Sequence, residues 1–371
     1  MNKTPSSRAS WRYVIAGILL IAATMAGGSA VAHDNGRSSQ STKAQSTKAS
    51  GPKAHPRSHG MSGTRHHHKR HHHWKKSHRP APVLSPKQTT EPTTPTPPAQ
   101  TDKPTTPTPQ TGFPNASNTG VPAGTKLAAY TGPCTITANN TTIDAKSISC
   151  NLSIRASGVK ISNSKITGTV ATDENSSGYS FTISDSDVNA GQRENTGIGA
   201  VNFKAIRVDV QGGNRSIHCY KSCTVQDSYV HGQFKDSSGK AHESGIRMGQ
   251  SAIIRHNTIT CDAPDVPPDA GCSAGLTGYG DFAPVQNNLI EGNMFLAGTG
   301  GYCVYGGSSQ GKPYSSQTNH IVFRDNVWEV GSDANRPSCY YGPITSFDPK
   351  VTGNVWENNK FDNGKVVQSA N

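Results

Sequence analysis

The chain has 371 residues, and its 36 Lys and Arg against 24 Asp and Glu give a formal net charge of +12. The excess sits at one end: residues 1–111 carry 16 basic and 3 acidic side chains, and residues 112–371 carry 20 and 21. A basic tail on a near-neutral body excludes nucleic-acid binding by a folded domain as the meaning of the charge, and 6% aromatic content argues against a second large core.

Residues 1–32 read as a signal peptide. Lys3, Arg8 and Arg12 precede an apolar run over 14–25, and Ala30-Val31-Ala32 ends it with small residues. An uncleaved anchor is the competing reading, since 14–32 is free of charge. Residues 33–79 lack any apolar periodicity and form a disordered, basic, His-rich arm. Its centre, Arg65-His-His-His-Lys-Arg-His-His-His73, suits either metal chelation or a polycationic hold on a cell-wall polyanion. Residues 80–111 are a Thr/Pro-rich spacer.

Folding is expected over 112–371, opening on Gly-Phe-Pro-Asn-Ala-Ser-Asn-Thr-Gly-Val-Pro-Ala-Gly (112–124). All eight cysteines lie there: Cys134, Cys150, Cys219, Cys223, Cys261, Cys272, Cys303 and Cys339. An even count in an exported chain favours disulfides. Proximity suggests pairing each with its neighbour in sequence: 134–150, 219–223, 261–272 and 303–339.

The body repeats one pattern, an apolar residue followed five positions later by another. It occurs at Ile161/Ile166, Ile183/Val188, Phe203/Val208, Val225/Val230, Ile254/Ile259, Ile290/Phe295, Phe323/Trp328 and Trp356/Phe361. Between the members stand Asn163, Asp185, Asp227, Asp325 and Asn358 two positions in, and Asn257, Asn293, Asn326 and Asn359 three positions in. Asn and Asp tolerate a left-handed backbone, so they mark a bend between two short strands. Strand–bend–strand units at intervals of twenty to forty residues, without helical periodicity, read as coils of a parallel β-solenoid.

A further strand precedes each pair in the later coils. Aligning Ile198, Ile217, Ile246, Leu276 and Val304 as inward positions turns Gly199, His218, Arg247, Thr277 and Tyr305 outward. Tyr220, Gly249 and Tyr279 face out two positions on. Insertions at 231–244, 261–274, 306–319 and 331–343 bracket this ladder, as loops walling a groove would.

With its lead-in, His242-Glu-Ser-Gly-Ile-Arg247, Arg255-His-Asn-Thr-Ile259, Gly280-Asp-Phe-Ala-Pro284, Gly301-Tyr-Cys-Val-Tyr-Gly306 and Tyr341-Gly-Pro-Ile-Thr-Ser-Phe-Asp348, the chain resembles the right-handed parallel β-helix proteins of the pectate-lyase superfamily, and among them secreted actinobacterial ones. That resemblance implies an all-β, right-handed parallel β-helix over roughly 112–365. The superfamily spans lyases, hydrolases, epimerases, adhesins and tailspikes, so it implies no single activity. The calcium site usual in such lyases stacks several acidic side chains on one sheet. This sequence offers no such ladder, so calcium is not indicated and no cofactor is expected.

The ladder suits an acidic polysaccharide. β-Elimination at a uronate needs a cation on the carboxylate, a base for the adjacent proton and an acid for the leaving oxygen. Arg247 fits the first requirement by its planar fork, and His218, Lys221 and Tyr279 supply candidates for proton transfer. Tyr220, His242, Glu243, Asp281, Tyr302 and Tyr305 are candidate substrate contacts. Structural alternatives stand beside these: Arg247 paired with Glu243 or Asp227, His256 and Asn257 as turn residues, His231 and His242 as plain loop residues, and the tyrosines as a stacked ladder. The expected function is therefore a secreted or surface-attached lyase on a uronate-containing glycan. A non-catalytic glycan-binding module and a glycoside hydrolase are the alternatives.

Overall fold

The computed structural model describes residues 112–332 and 338–371. The signal peptide, basic arm and Thr/Pro spacer expected over 1–32, 33–79 and 80–111 lie outside these residues, as does part of the 331–343 insertion. The described residues wind as a right-handed parallel β-helix with no α-helix, and a single 3-10 turn occurs at Ser315–Gln317. Strands stack into one sheet of ten strands and one of sixteen.

The first strand of each coil follows the expected alignment. Leu152, Val170, Ile198, Ile217, Ile246, Leu276, Val304 and Ile344 form one continuous row in register. All are buried at 2% exposure or less. No coil could hide this row alone; each covers its neighbour's apolar edge, which is why the solenoid propagates.

The apolar pair marks the second and third strands, with one correction. Ile161, Ile183, Ala205, Val225, Ile254, Ile290, Phe323 and Trp356 pair in sequence across the coils. Ala205 therefore holds the place expected for Phe203, and Val210 the place expected for Val208. Phe203 belongs two residues upstream, where it aligns with Phe181 and stacks on it at 5.4 Å. A small residue at the true position made the larger neighbour look like the anchor. A further pair, Ile143/Ile148, adds a coil at the start.

The bend residues divide into two kinds. Asn163, Asp185, Asp227, Asp325 and Asn358 are left-handed, with φ between 48° and 57°. Arg207 and His256 take the same conformation in their coils, with φ of 52° and 49°. The residues three positions in, expected to mark the bend in the same way, point instead into the core. Asn257, Asn293, Asn326 and Asn359 are 1% exposed or less. Each side-chain oxygen from Asn293 onward accepts the main-chain and side-chain N–H of the asparagine one coil before, at 2.9–3.1 Å. Each side-chain nitrogen donates to a main-chain carbonyl as well, at 2.8–3.0 Å. Earlier coils put Ser164, Ser186 and Ser228 in this column, with Val208 between them.

All four disulfides join the neighbouring cysteines expected: Cys134–Cys150, Cys219–Cys223, Cys261–Cys272 and Cys303–Cys339. The last closes a span of 36 residues that carries two inserted loops. Replacing Cys303 and Cys339 together by Ala is expected to cost about 3–4 kcal/mol through the freed unfolded chain. Urea unfolding against the wild type measures this, and an unchanged midpoint would show that the bridge adds nothing. The lead-in lies along the bends. The amide of Gly120 donates to the Arg207 carbonyl at 3.0 Å, that of Val121 to Asp187 Oδ1 at 3.0 Å, and the Phe113 ring stacks on His256 at 5.8 Å.

Candidate functional site

The outward ladder is in register: Gly199, His218, Arg247, Thr277, Tyr305 and Thr345 face one another coil by coil. Its middle opens into a cavity of about 580 Å³. Arg247, Tyr279, Asp281, Tyr305 and His242 line it, with Asn214, Arg215, Ser244 and Ser273 from the coil strands and Ser309, Gln310 and Lys312 from the 306–319 insertion. A second cavity of about 250 Å³ adjoins it, sharing His242, Ser273, Tyr279 and Tyr305 and adding Asp265 and Asp269.

Two cations converge on one carboxylate at the centre. Arg247 Nη2 lies 3.1 Å from Asp281 Oδ2, and Lys312 Nζ lies 3.0 Å from Asp281 Oδ1. Both cations flank the ring of Tyr279, at 5.8 and 5.7 Å from its centroid, and Arg247 also sits 5.4 Å from the ring of Phe282. Phe282 is 74% exposed, which suits a contact for a ligand rather than a packed side chain. Arg247 thus pairs with Asp281, and with neither Glu243 nor Asp227.

Aromatic rings continue away from this centre. Tyr279 and Tyr305 lie 5.0 Å apart, Tyr305 and Tyr302 5.7 Å, Tyr302 and Tyr341 5.6 Å, and Tyr341 and Tyr340 4.6 Å. Burial raises the Tyr279 hydroxyl well above the usual phenol range, against the pull of a hydrogen bond with Ser273 and of the Arg247 charge. Burial raises Tyr305 too. Both hydroxyls are therefore protonated at neutral pH and can donate.

Other candidates lie around this centre or away from it. The His218 side chain is 12% exposed and does not line the cavity; its Nδ1 is 3.4 Å from Glu174 Oε1. Burial lowers His218 and keeps it neutral, although Glu174 pulls the other way. The pairing with His218 is the main cause of a lowered Glu174. Tyr220 meets His218 edge-on at 5.8 Å. Lys221 is exposed but outside the cavity lining. The register slips between Ala200 and Val201, so the strand Arg215–Gln226 carries an extra residue at Tyr220, and left-handed Ser222 (φ 57°) bends it directly after Lys221. Gly249 lies opposite Tyr220, where any side chain would collide with the Tyr220 carbonyl.

His242 borders both cavities, with Nε2 3.3 Å from Asp269 Oδ2. Glu243 is 0% exposed, so it is out of reach of anything in the groove. Burial pushes its carboxyl up to about 7, against the pull of the amides of its own residue and of Gly271. His256 bonds Asp227 through Nδ1 at 2.6 Å in its bend, and His231 bonds Asp209 at 2.9 Å. Among the described residues no group of three or more His, Cys, Asp or Glu is placed to hold a metal ion.

Sequence reasoning missed Lys312, Arg215, Asn214 and Glu174. Lys312 falls within an insertion already read as a groove wall, but a loop sequence does not tell which residue turns inward. Glu174 approaches His218 across two coils, a closeness that no local pattern reveals.

No family model matches the chain, and none of the curated proteins matches it. Among solved structures it is similar to the A-module of a mannuronan C-5 epimerase from Azotobacter vinelandii. The TM-score is 0.27 and the identity 10%, over 62% of this chain and 83% of that one.

Proposed function

We propose that this chain is an exported polysaccharide lyase that cleaves a uronate-containing glycan by β-elimination. The observation that carries this reading is the pair Arg247 and Lys312, held on Asp281 beside the protonated hydroxyl of Tyr279 in an open groove. Two cations fixed on an internal carboxylate form a seat for a substrate carboxylate. Neutralising a uronate there acidifies its C5 proton. The base takes that proton, the C4–C5 double bond forms as the C4–O4 bond breaks, and O4 takes a proton from the acid. Tyr279, kept protonated by burial, suits the acid. His242, on the wall shared by both cavities, suits the base. Export is supported by the amino-terminal signal pattern and by four disulfides. The basic arm would then tether the enzyme to an acidic wall polymer.

The run of rings from Tyr279 to Tyr340 also supports a second reading, a module that binds glycan without turning it over. Hydrolysis has less support. Of the two carboxylates expected nearest the ladder, Asp281 is engaged by both cations and Glu243 is wholly buried, while Asp265 and Asp269 stand on the adjoining cavity.

The full chain, incubated with a panel of uronate-containing and neutral polysaccharides, separates these readings. Ultraviolet absorbance of an unsaturated uronate rising together with reducing ends is the expected result. Reducing ends without absorbance would replace the lyase by a hydrolase. Retention on an immobilised glycan with neither signal would leave the binding module.

A further inference from the structure

The groove consists of two adjoining cavities with opposite charge. Arg215, Arg247 and Lys312 line the larger one, with Asp281 held between the last two. Asp265 and Asp269 line the smaller one together with His242, and among the described residues no Lys or Arg lines it. The loop that carries these two carboxylates is braced. The Cys261–Cys272 disulfide closes it, and between the two acids Val266 and Ala270 exchange main-chain hydrogen bonds at 2.8 and 3.0 Å. Gly271 leaves room for Asp265, since a Cβ on that residue would collide with Asp265 Oδ1.

Tyrosine rings join the two cavities and continue past the smaller one. Tyr279 and Tyr305 line both, 5.0 Å apart. Gly301 lines the smaller cavity and seats Tyr341, whose amide donates to the Gly301 carbonyl at 2.6 Å. A Cβ on Gly301 would press on the Tyr341 ring. That ring is 69% exposed, so packing does not account for it. A sugar offers hydroxyls at its edge and C–H groups on its face, and so meets carboxylates with the first and rings with the second. A second uronate would instead bring a like charge against Asp265 and Asp269.

We propose that the substrate is a heteropolysaccharide in which the uronate is joined to an uncharged sugar. The uronate occupies the cationic cavity. Its uncharged neighbour occupies the acidic one, with hydroxyls on Asp265 and Asp269 and its face toward Tyr305 and Tyr341. Asp265 is then a specificity residue, because it accepts a hydroxyl and repels a carboxylate. A uronate homopolymer carries a carboxylate on every unit, so seating one on Arg247 and Lys312 drives the next against Asp265 and Asp269. This inference rests on the carboxylate seat of the lyase reading and extends it from one sugar to two.

The test sets two homopolymers, polygalacturonate and polyglucuronate, against hyaluronan and unsulfated chondroitin, which alternate a uronate with an uncharged N-acetylated sugar. With the full chain, kcat/KM is read from unsaturated uronate. Affinity is read by calorimetry as the part lost in Arg247→Ala, so that the basic arm does not contribute. The expected result is a preference of about tenfold for the alternating polymers. Asp265→Asn should narrow it several-fold by a gain on the homopolymers, and Tyr341→Ala should narrow it by a loss on the alternating ones. Homopolymers used as well as alternating polymers would overturn the inference and leave the lyase reading intact. An unchanged preference in both variants, each with native circular dichroism, would overturn it too. If no polymer yields unsaturated uronate but Arg247-dependent binding keeps the preference, the lyase reading fails and this inference stands. Arg247-dependent binding of none of the four would overturn both.

Discussion

Replacing Arg247 by Ala is expected to lower turnover of a uronate polysaccharide about 10²–10³-fold, a loss of roughly 3–4 kcal/mol of transition-state stabilisation. The fold should survive, because Arg247 lies on the outer side of its strand while Ile246 and Met248 fill the core beside it. Arg247→Lys should recover only part of the loss. An ammonium keeps the charge, but not the fork that meets both oxygens of a carboxylate. Asp281 gives the opposite sign. It holds Arg247 and Lys312 at 3.1 and 3.0 Å and so competes with a substrate carboxylate for both. Asp281→Ala should therefore tighten substrate, seen as a lower KM, even if kcat falls because the two cations are no longer held in place. Steady-state kinetics on one uronate polymer, with all three variants, checks these expectations together. Turnover unchanged in Arg247→Ala would remove this cavity from the mechanism.

The parts of the fold that were legible in the sequence are those set by strict alternation and by side-chain size. Ile198, Ile217, Ile246, Leu276 and Val304 were alignable because each is large, apolar and central in its strand, and their register follows. The disulfides were legible because coils place sequence neighbours side by side. Legibility failed where size misleads. Ala205 occupies the row and Phe203 does not, so the larger residue captured the alignment. It failed again where backbone type and burial part company. Asn163 and Asn257 are both bend asparagines, yet one takes a left-handed turn and the other fills the core. The site was half legible. Alternation placed His218, Arg247 and Tyr305 on one ladder, whereas Lys312 and Glu174 reach it from loops whose paths depend on tertiary packing. The extra residue in the strand Arg215–Gln226 broke the alternation at Tyr220, so Lys221 could not be placed by counting.

Asn326→Ala is expected to destabilise the solenoid more than any single surface change, by about 2–5 kcal/mol. The Asn326 side chain accepts the Asn293 amide at 3.0 Å and donates to the Ile290 carbonyl at 2.9 Å. Alanine leaves both main-chain groups buried without partners, at about 1–3 kcal/mol each, and opens a void in the core where the fully buried Asn326 side chain stood. Water cannot repair the loss, since Asn293 and Asn326 are both 0% exposed. Serine is the informative control, because the early coils already use it in this column. Ser186 Oγ accepts the Ser164 amide at 3.0 Å but turns its own proton to the Ser184 carbonyl, two residues before it. Asn326→Ser should thus restore an acceptor for Asn293 and leave the Ile290 carbonyl unpaired, placing its stability between alanine and the wild type. Urea unfolding of the three proteins, compared at equal denaturant slope, tests the order. If alanine and serine were equally destabilising, shape rather than hydrogen bonding would be what the column contributes; if neither differed from the wild type, the ladder would be a consequence of coil stacking and not a cause of it.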